Sequence, residues 1–357
     1  MDINVTLVKE HLKRLKPTDE STLGWGKYFS NHMFLMDYKQ DKGWHNSRII
    51  PYGLISLEPS AAVLHYAQQA YEGLKAYRGP RGEVYLFRPD QNLKRLSRSC
   101  DRLCIPAYPE DVILEAMKKL ISIDADWVPS APVTALYIRP VIIASETFIG
   151  VRPSNEYLFY IITSPVGAYY PEGFAPVSIF VEDNYIRAAS GGVGEAKTSA
   201  NYAPALKAQV EAQKKGFSQV LWLDAKHLRF VEEVGTMNIA FKFKNEVATA
   251  PLSGTILPGV TRSSVLTLCR EFGLKVSERS IAIDEIISKL KTDELEEVFG
   301  MGTAAVIAPV SSIHYKGQTY AIGSGQSGSL ATKLFNSLIN IQYGLADDSH
   351  GWRIRVI

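Results

Sequence analysis

Runs of β-branched and aromatic residues alternate along the chain with stretches whose apolar positions recur every three or four residues, a pattern that predicts interleaved strands and helices. Residues 25–38 (WGKYFSNHMFLMDY) read as strand, and the turn-rich KQDKGWHNS follows. Residues 61–70 read as helix, 71–79 (YEGLKAYRG) as strand, RGPRGE as a hairpin turn and 84–87 (VYLF) as its second arm. In PDQNLKRLSRSCDRLCIP, Leu93, Leu96, Cys100, Leu103 and Cys104 share one helical face, with Arg95, Arg98 and Arg102 off it. A second helix is expected over 112–123, where Ile113, Met117 and Leu120 keep helical spacing and Asp111 can cap the start. The runs 135–146 (ALYIRPVIIASE) and 156–164 (EYLFYIITS) are rich in strand formers. Tyr137 and Arg139 lie two apart in the first of these, so both leave one face of the strand, and a buried arginine normally needs an anionic partner.

Three prolines and two glycines in PVGAYYPEGFAP make 165–176 the best domain boundary, between an N-terminal domain (1–164) and a C-terminal one (177–357). Beyond it VSIFVE reads as strand, a helix starts near Ala203 with Pro204 in its first turn and Gly216 at its end, and QVLWL and TMNIAFKF read as strands. A helix beginning near Gly259 to Thr261 presents its first N–H groups and positive dipole end to an anion. LEEVFGMGTAAVIAPV is two strand-like runs around a GMGTAA turn, and 329–343 is an amphipathic closing helix.

Composition narrows the function. The 357 residues suit two domains, and 46% hydrophobic with 21% charged content can bury a full core. Net charge is only +2, with no basic block or stripe, so nucleic acid is not an expected partner. The N-terminus lacks the apolar core of a signal peptide and no run approaches the ~18 apolar residues of a membrane span, which points to the cytoplasm. Cys100, Cys104 and Cys269 read as packing residues, and no Cys/His spacing suggests a metal.

Candidate chemistry concentrates in GGVGEAKTSANY (191–202). Lys197 follows a run of glycines and admits three readings. It is an exposed lysine on a surface turn; or the lysine of a phosphate-binding loop, although Ala196 stands where that loop needs its second glycine; or a Schiff-base lysine that condenses with a carbonyl or with the aldehyde of pyridoxal phosphate. Pyridoxal chemistry needs a lysine for the aldehyde, a carboxylate for the ring nitrogen and anchors for the phosphate. Lys197, Glu233 in EEVGTMN, and Arg95, Val260, Thr261 and Thr303 supply candidates, and Tyr202 could donate to the phenolate oxygen.

YEGLKAY, LFRPDQNLKRL, LYIRPV, the K-x-x-x-N-Y of the lysine stretch, QVLWL, EEVGTMN, LPGVTR and FGMGTAA resemble, in this order and spacing, the branched-chain amino acid aminotransferases of pyridoxal-phosphate fold type IV. The resemblance runs from about Trp25 to the closing helix. It implies a two-domain α/β (α+β) architecture, with a smaller N-terminal domain and a larger C-terminal one built on a barrel-like sheet. It also implies a homodimer that moves amino groups between L-leucine, L-isoleucine or L-valine and 2-oxoglutarate, yielding glutamate. In the family's pattern Lys197 matches the cofactor lysine, Glu233 the ring-nitrogen partner, Tyr202 the phenolate donor, and Arg95, Val260, Thr261 and Thr303 the phosphate anchors. Substrate positions match Trp25, Tyr66, Tyr71, Tyr137, Arg139, Ile149, Val151, Thr236, Met237 and Ala304, with Tyr66, Ile149 and Val151 coming from the neighbouring subunit. Mammalian members carry a C-x-x-C redox pair after the GT turn; Ala305 and Ala308 stand there in this chain, so thiol switching is not expected at that place. Residue by residue, Trp25, Tyr71 and Tyr137 could wall an apolar site for a branched side chain, and Arg139 either meets the side-chain carboxylate of glutamate or forms a structural ion pair.

Overall fold

The computed structural model describes residues 2–170 and 173–357, so Pro171 and Glu172 of the expected 165–176 boundary lie outside the described residues. The chain divides into two compact units, one of Met1–Tyr169, Ala196–Ser199 and Ile339–Ile357, the other of Tyr170–Glu195 and Ala200–Leu338. Because Ile339–Ile357 groups with the N-terminal half, the first unit is the larger.

The first unit is built on a nine-stranded sheet in the order Asn4–Val5, Gly43–Pro51, His32–Lys39, Glu156–Val166, Ala135–Ala144, Leu74–Arg78, Val84–Phe87 and Arg353–Arg355, with Gln69–Tyr71 also paired to Ala135–Ala144. Helices Pro89–Arg102 and Glu110–Ile123 bury their apolar stripes against it, and Leu93, Leu96, Cys100, Ile113, Met117 and Leu120 join Phe34, Leu136, Ile138 and Phe159 in one core. Burial of side chains this size stabilises by about 1.5–3 kcal/mol each.

Several local expectations change. KQDKGWHNS is only partly turn, since strand Gly43–Pro51 starts inside it and pairs Trp44 with Tyr38. The helix expected over 61–70 is confined to Ala62–Tyr66, because Ala67 turns left-handed at φ 49° and frees the chain to form Gln69–Tyr71. Asp111 does not cap its helix, which begins one residue earlier after Pro109; its charge lies in the first turn, where the helix dipole favours it. Cys104 leaves the helical face altogether, exposed and at φ 56° beyond the last turn.

The second unit holds another nine-stranded sheet, and six of its strands close on themselves. Val231–Val234, Gln219–Leu223, Val177–Glu182, Val306–Tyr315, Leu295–Gly302 and Met237–Phe243 form a ring, completed by the pairing of the last with the first. Val177–Glu182 and Gln219–Leu223 run parallel, so the chain between them must cross over, and helix Ala205–Lys214 does so. The lysine stretch lies in this crossover. Helix Ile283–Lys291, which buries Ile283, Ile286 and Ile287, is an element the pattern reading passed over. Among the described residues no helix is long and apolar enough to cross a membrane.

Candidate functional site

In the first unit the main chain of Lys197 is fixed on both sides. Its N–H donates to Ser99 Oγ at 2.9 Å and its carbonyl accepts from the Tyr71 N–H at 3.0 Å. The next residue, Thr198, bridges Ala70 and donates its hydroxyl to the Gln69 carbonyl at 2.8 Å. The stretch is thereby stitched to the edge of Gln69–Tyr71, and the amine of Lys197, a half-buried residue, lies 5.2 Å from the centre of the Tyr71 ring. This geometry is unlike that of a lysine on a free surface turn.

Ser99 belongs to helix Pro89–Arg102, where residues one turn apart share a face. Asn92, Arg95 and Ser99 form one polar, buried stripe there. Arg95 is not on the solvated side of its helix, because Glu72 compensates its charge: Nε donates to Oε1 at 2.7 Å and Nη2 to Oε2 at 2.8 Å, while Asn92 Nδ2 donates to the same carboxylate at 2.9 Å. Burial pushes the Glu72 pKa up, but the charge and hydrogen bonds of Arg95, with Lys197 and Asn92 adding, outweigh it and hold the carboxyl below its ordinary value.

A cluster of aromatic rings and cations lies on the neighbouring strands. Arg139 and Tyr137 leave one face of Ala135–Ala144 as their spacing requires, and Arg139 Nη2 donates to the Tyr137 hydroxyl at 2.9 Å. The guanidinium also sits 4.6 Å from the Tyr71 ring centre and 5.2 Å from that of Tyr137. Trp25 stacks at a tilt on Tyr137, with ring centres 5.0 Å apart. Gly73 is what admits Tyr137, since a Cβ there would collide with the phenol oxygen.

In the second unit Glu233 is buried on ring strand Val231–Val234. Its Oε1 accepts from the Leu257 N–H at 2.7 Å and from Asn238 Nδ2 at 3.4 Å, and its Oε2 stands 2.9 Å from Arg187 Nε. Asn238 also donates to the Leu257 carbonyl at 2.9 Å, and its side chain occupies the space a Cβ at Gly259 would need. Gly259 precedes helix Val260–Glu271 and gives it no side-chain cap, so the N–H groups of Val260 and Thr261 open a helix whose start is an anion-binding end.

Val234 and Met237 pair across a two-residue hairpin whose Gly235 takes φ 55°, which leaves Thr236 exposed at its tip and Met237 buried. Met237 packs where Cβ atoms at Gly300 and Gly302 would otherwise stand. Thr303 and Ala304 form the half-buried turn that follows. Tyr202, half-buried, comes just after the short 3-10 turn Ser199–Asn201. Back in the first unit Tyr66, Ile149 and Val151 are exposed, Val151 to 90%.

Sequence reasoning missed Glu72, Asn92, Ser99, Arg187 and Asn238, which hold the candidates in place. A signal existed for three of them: a glutamate in the run YEGLKAY requires a buried cation, and Asn92 and Ser99 repeat with Arg95 at helical spacing.

The family model described as amino-transferase class IV matches residues 69–313. Branched-chain-amino-acid aminotransferase 2 of Bacillus subtilis is 52% identical over 344 residues, covering 96% of this chain and 94% of that one. Branched-chain-amino-acid transaminase 1 of the same organism is 50% identical over 339 residues, covering 95% of each. Among solved structures, the branched-chain amino acid aminotransferase of Escherichia coli aligns with a TM-score of 0.76 at 24% identity, over 91% of this chain and 99% of that one. The branched-chain amino acid aminotransferase of Thermobaculum terrenum, in its PLP-form, aligns with a TM-score of 0.72 at 22% identity, over 91% of this chain and 98% of that one.

Proposed function

The chain belongs to the class IV aminotransferases, and from that premise we propose that it moves the amino group of L-leucine, L-isoleucine or L-valine to 2-oxoglutarate, reversibly and in two half-reactions, using pyridoxal 5'-phosphate. The names of the two Bacillus subtilis relatives support the substrate class. The observation that carries the reading is the main chain of Lys197, pinned between Ser99 and Tyr71, with its amine 5.2 Å from the centre of the Tyr71 ring.

The residues fit the cofactor on chemical grounds. Glu233 is a buried carboxylate beside an arginine, suited to a protonated ring nitrogen. The uncapped helix start at Val260 and Thr261 suits a phosphate dianion, and the family's pattern adds Arg95 and Thr303 as further anchors. Bound pyridoxal phosphate supplies an aldehyde for the amino group and a ring that takes up the electron pair left when the α-proton departs.

The work of the chain is then positional and acid–base. Lys197 Nζ would hold the cofactor through its aldehyde and take the substrate's α-proton. Glu233 would keep the proton on the ring nitrogen, and Tyr202 would donate its hydroxyl to the phenolate oxygen. Trp25, Tyr71 and Tyr137 receive the aliphatic side chain, with Thr236, Met237 and Ala304 completing the substrate set. Arg139 answers the side-chain carboxylate of glutamate. Tyr66, Ile149 and Val151 serve the active site of a second copy of the chain, a homodimer supported by their exposure of 41%, 67% and 90%. The free cysteines suit a reducing cytoplasm.

Purified enzyme is expected to show a visible absorption band that bleaches on adding L-leucine and returns with 2-oxoglutarate. Other class IV chemistries are separated by offering D-alanine and aminodeoxychorismate; a response to either of these and none to L-leucine defeats the proposal.

A further inference from the structure

Among the described residues Lys75 is the one buried lysine, 6% exposed on strand Leu74–Arg78. A methionine of similar length could fill such a place without the cost of desolvating a cation. Its surroundings are specific. Lys75 pairs directly across from Tyr137, so the two side chains share the face that Arg139 also leaves. Its Nζ lies 5.3 Å from the centre of the Trp25 ring, and that ring in turn lies 5.0 Å from Tyr137. Lys75 and Arg139 are thus two cations on one aromatic face, with Tyr137 a neighbour of both.

Resting on the transaminase reading, that face has contradictory tasks. It must receive a branched aliphatic side chain in one half-reaction and a carboxylate-bearing one in the other. A permanent guanidinium beside leucine costs desolvation without return, and Arg139 lessens this by lying against two rings and a phenol. A buried amine can answer both substrates. Burial lowers the Lys75 pKa to about 7, so near neutrality the side chain is accommodated either uncharged beside hydrocarbon or protonated beside an anion.

We infer that Lys75 is a specificity-determining residue for the acidic co-substrate, meeting the side-chain carboxylate of glutamate or 2-oxoglutarate and standing aside for the branched aliphatic chain.

The test is to compare the two half-reactions of the holoenzyme in single turnovers, for wild type, Lys75→Met and Lys75→Arg, with folding checked by thermal unfolding. Lys75→Met is expected to raise the apparent KM for glutamate and for 2-oxoglutarate by about tenfold or more, the value of a charge-assisted hydrogen bond, and to change that for L-leucine by less than about twofold. Lys75→Arg is expected to restore much of the loss with glutamate while weakening L-leucine, because its charge cannot be withdrawn. Calorimetric titration with glutarate, which binds without reacting, should lose affinity in Lys75→Met alone. Equal losses for leucine and glutamate, or no loss for either, overturn the inference. A wild-type protein inert to L-leucine and glutamate alike would instead overturn the transaminase reading beneath it.

Discussion

Glu72 takes both Nε and Nη2 of Arg95 on its two carboxylate oxygens, at 2.7 and 2.8 Å, and the two side chains are buried together. Removing one member of such a pair leaves the other charged and unanswered in a dry place. Glu72→Gln is therefore expected to cost about 3–5 kcal/mol of unfolding free energy in urea. It should also weaken phosphate retention, measured as the pyridoxal phosphate concentration needed to restore the visible band. An unchanged midpoint in urea contradicts the account of this pair.

The pH response of Glu72 follows from its lowered pKa. Its contribution to stability is present above the unfolded carboxylate value of 4.5 and is lost as pH falls through the lower folded value. Glu232 works in the opposite direction. Burial raises its pKa, with the Thr255 hydroxyl at 2.5 Å and Arg187 only partly opposing, so its contribution is complete below pH 4.5 and disappears as pH rises through the raised folded value. Glu232→Gln keeps the neutral shape and is expected to flatten that decline. Urea titrations of wild type and variant across pH 4 to 8 should diverge progressively toward the upper end; parallel curves would show that Glu232 is already ionised.

Lys197→Ala should fold normally, since the hydrogen bonds to Ser99 and from Tyr71 are made by the main chain of residue 197. Turnover is expected to fall by roughly 10²–10⁴-fold or more, with added cofactor failing to rescue it. Rates near those of wild type would remove Lys197 from the mechanism.

Gly73→Ala places a methyl group against the Tyr137 hydroxyl and forces the ring away, breaking its bond with Arg139. Overpacking of this kind costs about 1–3 kcal/mol. The expected signature is a larger effect on substrate KM than on the position of the cofactor band, read from steady-state kinetics and absorbance on the same preparation.

Strong local patterns carried most of the fold. LYIRPVIIA and QVLWL are strands because their β-branched and aromatic residues suit a pleat buried on both faces, and the gathering of Tyr137 and Arg139 follows from their two-residue spacing alone. What escaped notice depends on distant partners. Arg95 lies off the apolar stripe of its helix, and only a carboxylate 23 residues earlier permits it to be buried. Strand Gly43–Pro51 contains too many polar letters to stand out, yet it is held by pairing with His32–Lys39 and by the packing of Trp44 on Tyr38 and Phe159. Helix Ile283–Lys291 begins within IAIDEII (281–287), where the alternation of Ile281 and Ile283 imitates a strand before the helical spacing takes over. Arg187 and Asn238 look like ordinary polar residues until the ring brings them to Glu233.

Closure of the six-stranded ring has a mechanical corollary for Glu233. A strand laced along both borders has no loose margin on which to slip register, and a slip of one residue would turn this carboxylate through to the opposite surface. Its aim is therefore inherited from the circumference as a whole: insertions are better tolerated in the outlying hairpin arms, whereas a single extra residue within the hoop would misdirect the acid without touching it.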